Sequence, residues 1–127
     1  MGTNNRSLVE GYEKGGNMIT YLAGAFTSED KMTMVARHEL HCFAASELME
    51  EGEVVFAPIP HSYNIARYVG RLVDHDFWMQ QCLPILQMCD RLVVIKDPAG
   101  AYNSSMGTQE EIKYATELDI PIEYRRF

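Results

Sequence analysis

A chain of 127 residues, 46% hydrophobic and 23% charged, is sized for one globular domain with one core and excludes a disordered, collagen-like or coiled-coil protein. Its 11 Lys and Arg against 18 Asp and Glu give a net charge of −7, a field that repels nucleic acid and anionic lipid, and the pair Arg125-Arg126 is too small a footprint for a polymer. No apolar run approaches the ~20 residues that cross a bilayer and no signal-peptide core follows Met1, so a cytoplasmic protein without nucleic-acid or membrane partners is expected.

Residues 1–16 are polar, end in Gly15-Gly16 and carry only Leu8, Val9 and Tyr12 as apolar anchors; they read as a loose arm or short helix ahead of a single domain over 17–127. Met18 to Ala23 is rich in β-formers and stops at Gly24, which predicts a buried first strand. Ser28-Glu29-Asp30 supplies an N-cap with acidic residues in the first turn. Ala36, Leu40, Phe43, Ala44, Glu47 and Leu48 then recur at three and four up to Gly52, giving an amphipathic helix of about six turns.

Val54 to Ile59 repeats the strand pattern until Pro58 and Pro60 end it, and a loop follows at His61 to Asn64. A short helical stretch over Ile65 to Val69 leads to Asp74, which caps a helix running toward Met88. Pro84 falls well inside that helix, where it costs about 3 kcal/mol, so either a kink near Gln80 and Gln81 or a restart with Pro84 in a first turn is expected. Leu92 to Ile95 is a third strand, Asp97 to Gly107 a turn-rich loop, Thr108 the cap of a helix through Leu118, and Ile120 to Tyr124 a last strand. Alternating strands and helices predict a small flavodoxin-like (Rossmann-like) three-layer α/β fold with a parallel sheet of four strands, or five if one hides in the less clear segments.

Ligands of such sheets bind past the carboxyl ends of the strands. That edge collects Gly24-Ala25-Phe26, His61-Ser62, and the loop from Asp97 to Gly107. Backbone N–H groups and serine hydroxyls at the start of the last helix make a cradle for phosphate or sugar, and Glu110 and Glu111 are read in its first turn. A carboxylate held there can attack or stabilise an electron-poor sugar carbon. Cys42, Cys82 and Cys89 are odd in number and fit neither a disulfide framework nor a CxxC metal site. His38 and His41 stand three apart on a helix without HExxH spacing or a third ligand, so no metal is expected. Phe77, Trp78 and the methionines are read mainly as core.

Several motifs occur in one order: Tyr21-Leu22-Ala23-Gly24, Val55 to Ser62, Asp76-Phe77-Trp78, Cys89 to Val94, and Ser105-Met106-Gly107 followed by Glu111 to Ala115. Over residues 18–124 they resemble the nucleoside 2-deoxyribosyltransferase superfamily, in particular a small branch of phages and bacteria related to deoxynucleoside 5′-monophosphate N-glycosidases. The resemblance implies cleavage or transfer at the N-glycosidic bond of a (deoxy)nucleoside or its 5′-monophosphate, with no cofactor or metal. The pattern S-x-G-x-x-x-E places the nucleophile at Glu111, with Tyr21 against it, and Ser105 and Gly107 at the 5′ end of the substrate. Ser105 matches a serine that touches 5′-phosphate in the nucleotide hydrolases, where transferases carry aspartate.

Arg37 lies in the region from which relatives bring a basic residue to the phosphate, and Gly24 and Phe26 lie at the substrate edge. The family's aspartate eight residues before Asp90 is replaced here by Cys82. A thiol is a weak acid, so His61 or Asp76 has taken over the proton to the leaving base, or the reaction has been lost or changed. A binding module that holds a nucleotide without turnover is the rival reading, and a structural protein on a retired enzyme fold a third. Relatives complete their cleft with a neighbouring subunit, so a homodimer or larger even oligomer is expected.

Overall fold

The computed structural model describes residues 18–69 and 74–127; the expected arm over 1–16 lies outside them. Four strands, β1 (Ile19–Ala23), β2 (Val54–Phe56), β3 (Arg91–Ile95) and β4 (Ile122–Arg125), form one parallel sheet in the order β2-β1-β3-β4. The helices are α1 (Lys31–Glu50), α2 (Pro58–Tyr63), α3 (His75–Gln87) and α4 (Met106–Glu117), with single 3₁₀ turns at Ile65–Tyr68 and Ala101–Asn103. This is the expected flavodoxin-like, Rossmann-like layer structure, and no fifth strand joins the sheet among the described residues. Nor is any helix among them long and apolar enough to cross a membrane.

Side chains alternate along each central strand, so the sheet sorts its residues by face. Leu22, Val93 and Ile95 point to one side and pack with Ala44, Ala45 and Leu48 of α1. Tyr21, Ala23, Leu92 and Val94 point to the other and pack with Cys82 and Leu86 of α3 and Ala115 of α4. Tyr21 pairs in register with both Phe56 and Leu92. The chain leaves β1 toward β2 and then crosses back to β3 on the opposite side of β1, which puts the switch point of the topology beside β1.

Several boundaries differ from the sequence expectation, each for a local reason. The cap of α1 is Asp30, whose carboxylate accepts from the Thr33 N–H and hydroxyl, while Ser28 accepts from the Asp30 N–H; no acidic residue stands in the first turn. Strand β2 ends at Phe56, because Pro58 with its fixed φ starts α2, so the expected loop from His61 is helical as far as Tyr63. Asp74 caps α3 as expected, but the helix passes through Pro84 without restarting. Pro84 and Gln80 are both exposed, on the side of the helix where a carbonyl left unpaired by proline costs least.

The cap of α4 is Ser105 rather than Thr108, since the Ser105 Oγ accepts from both the N–H and the hydroxyl of buried Thr108. Glu110 and Glu111 therefore sit in the second turn, beyond the reach of the helix dipole. Strand β4 begins at Ile122, two residues after the expected start; Asp119 adopts φ 59° to turn the chain out of α4, and Pro121 contributes only its carbonyl, to the Leu92 N–H.

Candidate active site

The site grows out of Tyr21. Its place in the middle of β1 buries it completely, and a phenol hydroxyl buried that deeply needs a partner. The hydroxyl donates to Oε2 of Glu111, which reaches the sheet from the second turn of α4. Glu111 is itself 6% exposed. Desolvation drives its carboxyl up to about 7, against the lowering effects of the Tyr21 hydrogen bond and of nearby His75; the neighbouring Glu110 adds to the rise. Burial and the same carboxylate raise the Tyr21 phenol above its ordinary range. At neutral pH the pair thus holds a carboxylate close to half ionised and a phenol that stays a donor.

Cys82 packs against this pair from α3. Burial first, and then the Glu111 charge, push its thiol up to about 11, so it is a neutral group at physiological pH. Cys82 also lines a cleft of about 190 Å³ between α3 and the segment after β2, together with Phe56, His61, Ile65, Trp78 and Gln81. Its walls are mostly aromatic and aliphatic. The Tyr21 and Phe56 rings lie 5.6 Å apart and those of Phe56 and His61 5.4 Å apart, a path from the carboxylate pair to the lip of the cleft.

The loop after β1 is held from α1 and α2. A Cβ on Gly24 would stand 3.1 Å from the His41 ring and from Ile95 Cβ, so only glycine lets the chain pass there without displacing its neighbours. His41 Nε2 lies 3.2 Å from the Ala25 carbonyl, and burial drops the ring's pKa to about 4, which keeps it neutral. Arg37 donates through Nη1 to the carbonyls of Phe26 and Thr27, at 3.4 and 2.8 Å, and Phe26 packs edge-on against Tyr63. Arg37 and Phe26 therefore fix the loop, in addition to any contact they make with a ligand.

Of the residues singled out in the sequence, the fold brings Tyr21, Glu111 and Cys82 together. Ser105 and Gly107 lie at the start of the helix that carries Glu111, and His61 lines the same cleft as Cys82. Gly24, Phe26 and Arg37 form the separate loop cluster. Asp76 is exposed in the first turn of α3 and does not line the cleft. Among the described residues no group of His, Cys, Asp and Glu could hold a metal ion.

The sequence reasoning missed His75, whose Nε2 lies 2.6 Å from Oε1 of Glu110, and the contribution of Gln81. Spacing could have found His75: it precedes Met79, Cys82 and Leu86 at intervals of four, three and four, which is one helix face.

Fold and site together define a parallel α/β domain with a buried tyrosine–glutamate pair beside an apolar cleft. Residues 18–124 match the model of a domain of unknown function, DUF1937, and the chain belongs to that family. No curated protein matches it.

Proposed function

We propose that the protein cleaves or transfers at the N-glycosidic bond of a (deoxy)nucleoside or its 5′-monophosphate, in the manner of the nucleoside 2-deoxyribosyltransferase superfamily that its motifs resemble. The observation that carries this reading is the Tyr21–Glu111 hydrogen bond at a buried carboxylate adjoining, through Cys82, a cleft with flat apolar walls. The carboxylate of Glu111 attacks C1′ as the bond from C1′ to the base nitrogen breaks. The bonding pair leaves with the base, which takes a proton from His61 or from water. Water or a second base then displaces the glycosyl ester, regenerating the carboxylate with net retention. Tyr21 donates to the oxygen that does not attack, orienting the other.

Ser105 Oγ accepts twice from Thr108 and keeps its own proton for a phosphate oxygen, which supports a 5′-monophosphate. The substrates belong to the cytoplasm, and no metal or cofactor takes part. We extend the reading to a homodimer or larger even oligomer, because the cleft of one chain is small; sedimentation of a strict monomer at micromolar concentration would count against this.

The test is release of free base from a panel of nucleosides and 5′-monophosphates, with and without an acceptor base, followed by chromatography. Because ionised Glu111 is the reactive form, kcat/KM should rise with pH, close to tenfold per unit on the acid side, and level off above about 7. A flat profile through that range would remove Glu111 from the chemistry. A second reading, a module that binds a nucleotide without turnover, is favoured by one observation: the group beside Glu111 is the neutral thiol of Cys82, a poor acid for a departing base. Binding of the panel without base release would decide for it.

A further inference from the structure

The N-terminal halves of α3 and α4 meet at a hydrogen-bonded histidine–glutamate pair that the proposed chemistry does not use. His75 is the first residue of α3, and its Nε2 lies 2.6 Å from Oε1 of Glu110 on α4, with 28% and 42% of the two side chains exposed. Glu110 directly precedes Glu111. Gly107, one turn earlier on α4, faces the same ring: a Cβ there would make ordinary van der Waals contact with His75 Cε1 at 4.0 Å and Met79 Cε at 3.7 Å. The histidine is thus held within electrostatic reach of the buried carboxylate without bonding to it.

From this geometry we propose that His75 is a positioning residue for Glu111: clasped by Glu110, it draws α3 onto α4 and, when protonated, sets a positive charge beside the nucleophile, so that the carboxylate gives up its proton more readily than burial alone would allow. The role rests on the reading of Glu111 as nucleophile. Four titratable groups face Glu111 among the described residues: Tyr21 from β1, Cys82 and His75 from α3, and Glu110 from its own helix. Tyr21 offsets the cost of burying a negative charge through its hydrogen bond, Cys82 is a neutral thiol and Glu110 is a second carboxyl, which leaves His75 as the one group of the four able to do so as a cation. The clasp also fixes the ring of this partly exposed histidine, through the hydrogen bond between its Nε2 and Glu110.

The experiment reads Glu111 itself, so that it stands whether or not the chain releases base. In protein labelled with ¹³C at the glutamate carboxyls, the Glu111 resonance is assigned by its loss in Glu111→Gln and titrated in the full-length chain. In His75→Gln the side chain still donates to Glu110 but carries no charge; the titration midpoint should move up by about half a pH unit or more. In His75→Lys a permanent cation takes its place, and the midpoint should stay at or below that of the native protein. The acid limb of base release should follow the same order. Midpoints that do not move, or that move the same way in both variants, would reduce the clasp to a packing contact and overturn the proposal. If the midpoints move as expected while no variant and no native protein releases base, the clasp stands and the glycosidase reading falls.

Discussion

Glu111→Gln is expected to lose base release altogether and to raise the melting temperature above neutral pH. The two effects share one cause. The folded protein holds this carboxyl at about 7, above the 4.5 of an exposed glutamate. Below pH 4.5 the group is neutral in both folded and unfolded chains and burial costs nothing through ionisation. Between 4.5 and 7 the unfolded chain gives up the proton and the folded chain does not, so stability falls as pH rises through that window and levels off above it. A difference of this size costs about 3 kcal/mol at pH 8. Glutamine is neutral at every pH and still offers an oxygen to the Tyr21 hydroxyl, while its amide hydrogens lack a strong acceptor, a loss of about 1 kcal/mol.

The variant should therefore be about 1 kcal/mol less stable than the native protein near pH 4.5 and about 2 kcal/mol more stable at pH 8, several degrees in melting temperature for a domain of this size. Thermal unfolding at the two pH values, beside the base-release assay, checks both signs. Glu110→Gln serves as control, since Glu110 is itself 42% exposed and bonds His75 rather than Tyr21, and its effect on base release should stay within about tenfold. Equal losses of activity in the two variants, or a less stable Glu111→Gln at pH 8, would show that the carboxylate is structural.

Cys82→Asp should behave in the opposite sense, increasing activity while lowering stability. The residue is 7% exposed, lines the cleft and lies against Glu111. An introduced carboxyl there would share a proton with Glu111, because two such groups in a desolvated site do not both ionise readily. One member would then be the ionised nucleophile and the other a protonated acid beside the leaving base, which the native thiol cannot supply. Base release at about pH 6 should increase severalfold or appear where the native protein shows none. The loss of stability should be small near pH 5 and reach several kcal/mol at pH 8, where the buried pair is forced to give up its second proton. A variant that is destabilised at every pH and no more active would assign Cys82 to packing alone and favour the binding-module reading.

The sequence by itself determined the class of fold, and the resemblance of its motifs pointed to Tyr21 and Glu111 as neighbours. Short apolar runs alternating with helical periodicity dictate a parallel sheet covered on both faces, because each element must bury its apolar side. The S-x-G register singled out Glu111 over Glu110. Spacing alone did not say why the choice matters. Side-chain alternation along β1 turns Tyr21 toward α3 and α4 rather than α1, and that packing, not a helix terminus, sets the charge state of Glu111. The start of α4 depended on which of two hydroxyls, Ser105 or Thr108, found free N–H groups to accept, a competition that local propensity leaves level.

The long-range partners were out of reach for a similar reason. Contacts such as His75 with Glu110, 35 residues apart, or His41 with the loop at Gly24 and Ala25, exist only once the helices are docked on the sheet. Asp76 shows the converse: its motif is legible in the sequence, yet Asp76 is exposed and outside the cleft, while Phe77 and Trp78 of the same motif line it. Periodicity identifies the buried face of each element, and docking decides which buried faces meet.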